Sequence, residues 1–133
     1  MLSEDIRWKQ RFQNFEKSLH YLEEALSIGA PDIIQRAGLI QFFELSFELG
    51  WKVLKDYLEE QGFADVKSPR AAIKKDFETE LVTDGHTWLQ ALEDRNLTTQ
   101  TYDEETAQEV EHLIRNIYYP LLKELHTVLY QKL

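Results

Sequence analysis

The sequence predicts an all-α fold: an antiparallel four-helix bundle with one additional short helix. Two observations carry this. Apolar residues recur at alternating steps of four and three along several long stretches, the spacing of one face of an α-helix. The chain has only five glycines and three prolines, too little punctuation for the turns of an all-β protein, and no alternating apolar–polar run competes. Its 133 residues have room for one core, so residues 1–133 are read as a single domain.

Each element has its own signals. The first helix is expected to open at Ser3, with Glu4 and Asp5 in its first turn at the positive end of the helix dipole. Trp8, Phe12, Phe15, Leu19, Leu22 and Leu26 form its seam, and Gly29 with Pro31 stops it. The second helix is expected from about Asp32 to Gln61. One stripe reads Ile33, Ala37, Ile40, Glu44, Phe47, Trp51, Leu54, Leu58; a second holds Phe42, Leu45 and Leu49, widened by Phe43 and Val53. A helix apolar on more than one side must be covered on more than one side, which predicts a homodimer.

Gly62 ends this helix, and residues 63–67 form a linker. Ser68-Pro69 reads as the cap and first residue of a short third helix with Ile73 and Phe77 as its buried pair. After a break at Thr83-Asp84-Gly85, a fourth helix is expected from about His86 to Asn96, with Trp88 and Leu92 inward and Arg95 continuing their stripe. Thr101 and Glu104 read as a capping box for the last helix. Its long face is Ala107, Val110, Ile114, Ile117, Leu121, Leu125 and Val128, and Pro120, lacking an amide proton, should kink it.

Composition excludes several classes of function. Without cysteine there is no disulfide framework and no thiolate metal site. His20, His86, His112 and His126 stand outside metal-ligand spacings, and no glycine-rich phosphate loop or nucleophile elbow is present, so no metal and no cofactor is expected. A net charge of −9, from 15 basic and 24 acidic residues, disfavours broad binding to an RNA or DNA backbone. No apolar run is long enough to span a bilayer, and MLSEDIRWKQ lacks the basic-then-apolar order of a secretion signal. The expectation is a cytoplasmic protein without a membrane partner.

Two features resist a purely architectural reading. Glu44 falls on an apolar stripe, where a carboxylate must be paired, hydrated or neutral; Lys52 and Arg95 are within reach as ion-pair partners. The alternative is a polar site lining a groove between helices or subunits. Arg95 leads into Asn96, Thr98, Thr99, Gln100, Thr101 and Tyr102, a dense polar patch between two helices that is more than a turn needs. Glu44, Trp51, Lys52, Asn96 and Thr98 are therefore candidate binding residues.

The stretch DRNLTTQTYDEETA, from Asp94 to Ala107, resembles the signature of the nucleotidyltransferase substrate-binding proteins, the HepT-like branch of the HEPN superfamily. FFELSFELGWKVLKDYLEEQG (Phe42 to Gly62) resembles that family's long second helix, SPRAAIKKDF (Ser68 to Phe77) its short helix, and the block from Trp88 to Tyr102 its motif region. The resemblance implies a homodimeric helical bundle whose partner is a small nucleotidyltransferase encoded nearby. In toxin–antitoxin pairs of this kind the HEPN protein is a metal-independent endoribonuclease. Its motif is an arginine and, a few residues on, a histidine, commonly with a tyrosine close behind, and the nucleotidyltransferase silences it by transferring AMP to that tyrosine.

On that motif the arginine is Arg95 and the tyrosine, also the modification site, is Tyr102, while Gln100 stands at the histidine position. A glutamine amide cannot exchange protons near neutral pH, and losing a general acid–base group costs a factor of about a hundred to ten thousand. The resulting expectation is a substrate-binding partner with a degenerate ribonuclease site at Arg95, Gln100 and Tyr102. Its rival is an active ribonuclease toxin silenced at Tyr102.

Overall fold

The computed structural model describes residues 2–95 and 103–133, with side chains from Arg7 onward. Its elements are α1 (Leu2–Leu26), α2 (Ile33–Glu60), α3 (Pro69–Glu78), α4 (Gly85–Asp94), α5 (Glu104–Leu113), a π-helical turn (Ile114–Tyr118) and α6 (Tyr119–Tyr130). There is no strand among the described residues. The all-α bundle expected from the sequence is the fold observed.

Local chemistry explains the helix ends. Asp32 caps α2 by accepting the Gln35 amide, and the Gln35 side chain accepts the Asp32 amide in return, closing a capping box. Gly62, just beyond α2, adopts a φ of 103°, a left-handed conformation that glycine takes at no steric cost. Ser68 caps α3 ahead of Pro69, and Asp84 caps α4 through the Thr87 amide. The last helix opens two residues later than the sequence suggests. Asp103, not Thr101, is the N-cap of α5, and its carboxylate also accepts the Thr106 hydroxyl.

α1 and α2 form a hairpin that packs along its whole length. Trp8 meets Tyr57 at one end, Ser46 donates to Ser18 in the middle, and Tyr21 stacks on Phe42 toward the other. α6 also runs antiparallel to α1: Tyr119 donates to Glu23, and His126 pairs with Glu16 and stacks on Phe12. Gly50 lies where the three helices meet. A Cβ there would stand 3.2 Å from the Phe15 ring, tight enough that the ring would have to give way slightly. α4 is the remaining bundle helix, antiparallel to the last, with Thr83 bonded to Glu124 near its start and Asp94 to Tyr118 at its end. α3 is the extra short helix, packed on α2 and α4.

The α1 seam is buried from Trp8 through Leu22 and half-buried at Leu26, as its spacing predicts. The predicted α2 stripe is buried from Ile40 to Leu58 except at Glu44, and it is exposed toward the start of the helix. Leu39, Ile40, Phe43, Phe47, Gly50, Trp51, Val53, Leu54 and Leu58 are buried, whereas Ile33, Ala37, Glu44 and Leu45 are exposed. In α3 the expected pair Ile73 and Phe77 is split. Ile73 is buried, but Phe77 is 52% exposed, and Asp76 takes the inward position.

Pro120 disturbs the last helix by phase rather than by a plain kink. The Tyr119 amide reaches back five residues to the Ile114 carbonyl, widening one turn just before the proline, which has no amide to give. The extra residue shifts the inward face at this turn, while Leu121 and Leu125 stay inward as their spacing predicts. Ile117, predicted inward, is exposed; Tyr118 takes its place in the core, followed by Leu121, Leu122, Leu125 and Leu129.

Candidate functional site

Arg95 follows α4 directly as its C-cap, where a cation is favoured by the helix dipole. Its guanidinium donates to the Glu48 carboxylate at 3.0 Å and lies 5.9 Å from the centre of the Phe47 ring. Glu48 is the centre of the cluster. On α2 the Trp51 indole N–H donates to it at 3.1 Å and the Lys52 ammonium pairs with its other oxygen at 3.3 Å. These spacings are one helical turn, so Glu48, Trp51 and Lys52 share a face that meets the end of α4.

Partial burial raises the Glu48 pKa, but the hydrogen bonds from Trp51 and Lys52 and the charges of Lys52 and Arg95 outweigh it and hold the carboxyl below its ordinary value. Glu48 is thus an anion at neutral pH. With about two-fifths of its side chain open to solvent, the cluster orients groups more than it stabilises the fold.

The sequence reading placed Glu44 in this role. Glu44 is exposed, and the Arg95 and Lys52 ion pairs go to Glu48, one turn further along α2. The available signal was the pairing of Glu48 with Trp51 and Lys52 at helical spacing; a strict four–three stripe drew attention to the wrong carboxylate. Of the other candidates, Trp51, Lys52 and Arg95 are brought together, whereas Asn96, Thr98, Gln100, Thr101 and Tyr102 lie outside the described residues.

The described residues on both flanks of 96–102 are tied to α2. On one side is Arg95 with Glu48. On the other, Arg36 pairs with Glu104 at the start of α5 and with Glu111 at 2.8 Å. Glu111 also receives Arg115, whose guanidinium caps the end of α1 at the Leu26 carbonyl, 2.6 Å away. The Arg36 and Arg115 hydrogen bonds hold Glu111 below the usual carboxylate range against the opposing effect of burial, and Glu111 and Glu104 raise the Arg36 pKa. Twelve residues of α2 separate Glu48 from Arg36, about 18 Å at 1.5 Å per residue.

Two phenols at the junction of the π-turn and α6 are bonded to carboxylates, Tyr118 beside the site and Tyr119 on the α1 side. Tyr118 donates to Asp94 and Tyr119 to Glu23. Burial, the acceptor bond and the acceptor's charge all push both phenols well above their ordinary pKa. An open groove of about 470 Å³ between α4 and the π-turn is lined by Thr87, Gln90, Asp94, Ile117 and Tyr118 among others. Among the described residues no three His, Asp or Glu side chains converge on a point where a metal ion could sit.

The fold is an all-α bundle, and sequence comparison assigns the family. Residues 10–131 match the family described as nucleotidyltransferase substrate binding protein like, and this chain belongs to that family. Solved structures share the fold. A crystal structure of a Thermus thermophilus protein is 31% identical, with 88% of this chain and 97% of that one aligned at a TM-score of 0.78. A Haemophilus influenzae protein, described as revealing the fold of a substrate binding domain of a nucleotidyltransferase, is 24% identical, with 90% and 99% aligned at 0.79, and supports the shared fold. No curated protein matches the chain.

Proposed function

We propose that this chain is the HepT-like, substrate-binding partner of a small nucleotidyltransferase, and that its own ribonuclease site is degenerate. The observation that carries the proposal is the pairing of Arg95 with Glu48. An arginine that stabilises a phosphoryl transition state must turn its guanidinium toward phosphate. Here it is held on a carboxylate kept ionised by three donors. Gln100 compounds this, because its amide cannot carry a proton to or from the scissile bond. The net charge of −9 further disfavours RNA.

Tyr102 is the acceptor if the partner modifies this chain. Its phenolate oxygen would form a bond to the α-phosphorus of ATP as pyrophosphate leaves, the phenolic proton passing to a base of the nucleotidyltransferase. Tyr118 and Tyr119 are poor rivals, since their hydroxyls are committed to carboxylates and resist deprotonation. The outer face of α2 supports a homodimer: Leu45 is exposed, Phe42 is half-buried, and Tyr21 of α1 stacks on Phe42 beside them. The absence of cysteine suits a cytoplasmic setting.

The test is co-expression with the nucleotidyltransferase encoded beside it, co-purification, and intact mass with peptide mapping after ATP and magnesium. A stable complex is expected, with any AMP on Tyr102. Failure of the two proteins to associate would overturn the reading, and AMP on Tyr118 or Tyr119 with Tyr102 untouched would overturn the acceptor assignment.

A further inference from the structure

We infer that Tyr118, acting through Asp94, is a positioning residue for Arg95. The argument begins with Pro120. The wide turn ahead of the proline rotates Tyr118 inward, where it is buried and stacks on Phe43 of α2 at 5.8 Å between ring centres. Its hydroxyl then reaches across to α4 and donates to one oxygen of Asp94. The other Asp94 oxygen accepts the Gln90 side-chain amide, one turn back on α4, at 3.0 Å.

Asp94 is otherwise badly placed. It is the last residue of α4, at the negative end of the helix dipole, where a carboxylate is disfavoured. Two hydrogen bonds offset that cost, and both of its oxygens are used to fix the final turn. Arg95 is the next residue, and its guanidinium is fixed from the opposite side by Glu48.

The contacts close a ring: Arg95 to Glu48, Phe47 beneath Arg95, Phe43 one turn back on α2, Tyr118 stacked on Phe43, and Asp94 bonded to Tyr118 beside Arg95 in the chain. The end of α4 is therefore held between α2 and the π-turn, and the direction of the Arg95 side chain depends on both. Burial and the Asp94 carboxylate keep the Tyr118 phenol protonated through the neutral range, so the donor persists.

The neighbouring tyrosine supplies the control. Tyr119 makes the same kind of bond, phenol to carboxylate, but to Glu23 of α1, away from Arg95. A merely structural role predicts that Tyr118→Phe and Tyr119→Phe behave alike. A positioning role predicts that only Tyr118→Phe reaches the Glu48 cluster.

The relevance to function rests on the reading of Arg95 given above, but the geometry is testable on the isolated protein, without partner or ATP. The probes are the Trp51 indole N–H resonance, which reports its bond to Glu48, the Arg95 side-chain N–H resonance, and amide exchange in the last turn of α4. Tyr118→Phe should shift both side-chain resonances and speed exchange at Ala91 to Arg95 up to about tenfold, as loss of one net hydrogen bond allows. Asp94→Ala should do the same, and Asp94→Asn, which keeps an acceptor for the phenol, should recover most of the native signal. Tyr119→Phe should leave all three readouts unchanged. Unmoved Trp51 and Arg95 signals in both Tyr118→Phe and Asp94→Ala, or equal shifts in Tyr119→Phe, would overturn the inference. A failed complex with the nucleotidyltransferase would leave these signals as they are and would count only against the function.

Discussion

The α1–α2 hairpin and the region around α3, α4 and the π-turn are built on different terms. Along α1 every seam position from Trp8 to Leu22 is buried, and the packing against α2 is mainly aromatic and aliphatic, with the Ser46–Ser18 hydrogen bond and the Arg11–Asp56 ion pair set into it. In the second region the apolar pattern is interrupted. Asp76 is fully buried, Phe77 is largely exposed, Asp94 and Arg95 end a helix in bonds to other helices, and one turn of the last helix is overwide. The long apolar seam marks the scaffold, and the interrupted stretches supply Asp94, Arg95 and Tyr118 to the candidate site.

Removing a scaffold ring should have the largest effect. Phe15→Ala deletes a fully buried side chain against Gly50 and should cost about 3–5 kcal/mol in urea unfolding. The Trp51 indole resonance of the folded fraction should stay in place. If it moved as well, scaffold and site would not be separable.

Asp76 should give the next largest effect, through pH. Both carboxyl oxygens are buried without a hydrogen-bond partner among the described residues, and burial raises the pKa to about 8. In the unfolded chain the same proton is lost near pH 4. Between those values the folded state holds a proton that the unfolded state has released, so stability falls as pH rises from about 4 to 8 and is greatest below that window. Asp76→Asn should flatten this slope and, near pH 8, raise stability by about 1–3 kcal/mol in thermal or urea unfolding. An unchanged slope would show that the carboxyl is solvated.

Glu48→Gln should separate function from stability. The ion pairs are half open to solvent, so unfolding should shift by less than about 1 kcal/mol. Association with the nucleotidyltransferase should weaken, because Arg95 loses its anionic anchor. The Glu48 contribution sits on the acid side: its depressed pKa makes the stabilisation present above about pH 4.5 and lost as pH falls further. A large stability loss without weaker association would return the cluster to the scaffold.

The smallest effect tests the phase of the last helix. Ile117→Ser should change stability by no more than about 0.5 kcal/mol because Ile117 is exposed, while Ile114→Ala should cost about 2–5 kcal/mol. Equal costs would mean that the last helix is regular across Pro120.

The sequence was legible wherever a local rule decides the outcome. Asp32, Gly62 and Ser68-Pro69 mark helix ends through chemistry confined to a few residues, and the α1 seam is long enough to set its own phase. α3 is only ten residues long, and both Phe77 and Asp76 fall one turn from Ile73, so hydrophobicity alone picked the wrong one. Pro120 announced a disturbance, but whether it kinks a helix or adds a residue to a turn depends on how the far side packs. At the candidate site Arg95, Trp51 and Lys52 are readable as types suited to a charged pocket; Glu48 is marked only by its helical spacing to Trp51 and Lys52, and its contact with Arg95 depends on where the end of α4 packs.

The central claim is that Arg95, held on Glu48 and followed by Gln100 rather than histidine, serves a partner and not RNA cleavage. The most direct measurement compares cleavage of a single-stranded RNA by the unmodified protein, Arg95→Ala and Gln100→His. The account predicts that the unmodified protein is no faster than Arg95→Ala and that Gln100→His raises cleavage. Robust cleavage by the unmodified protein, abolished by Arg95→Ala, would contradict it.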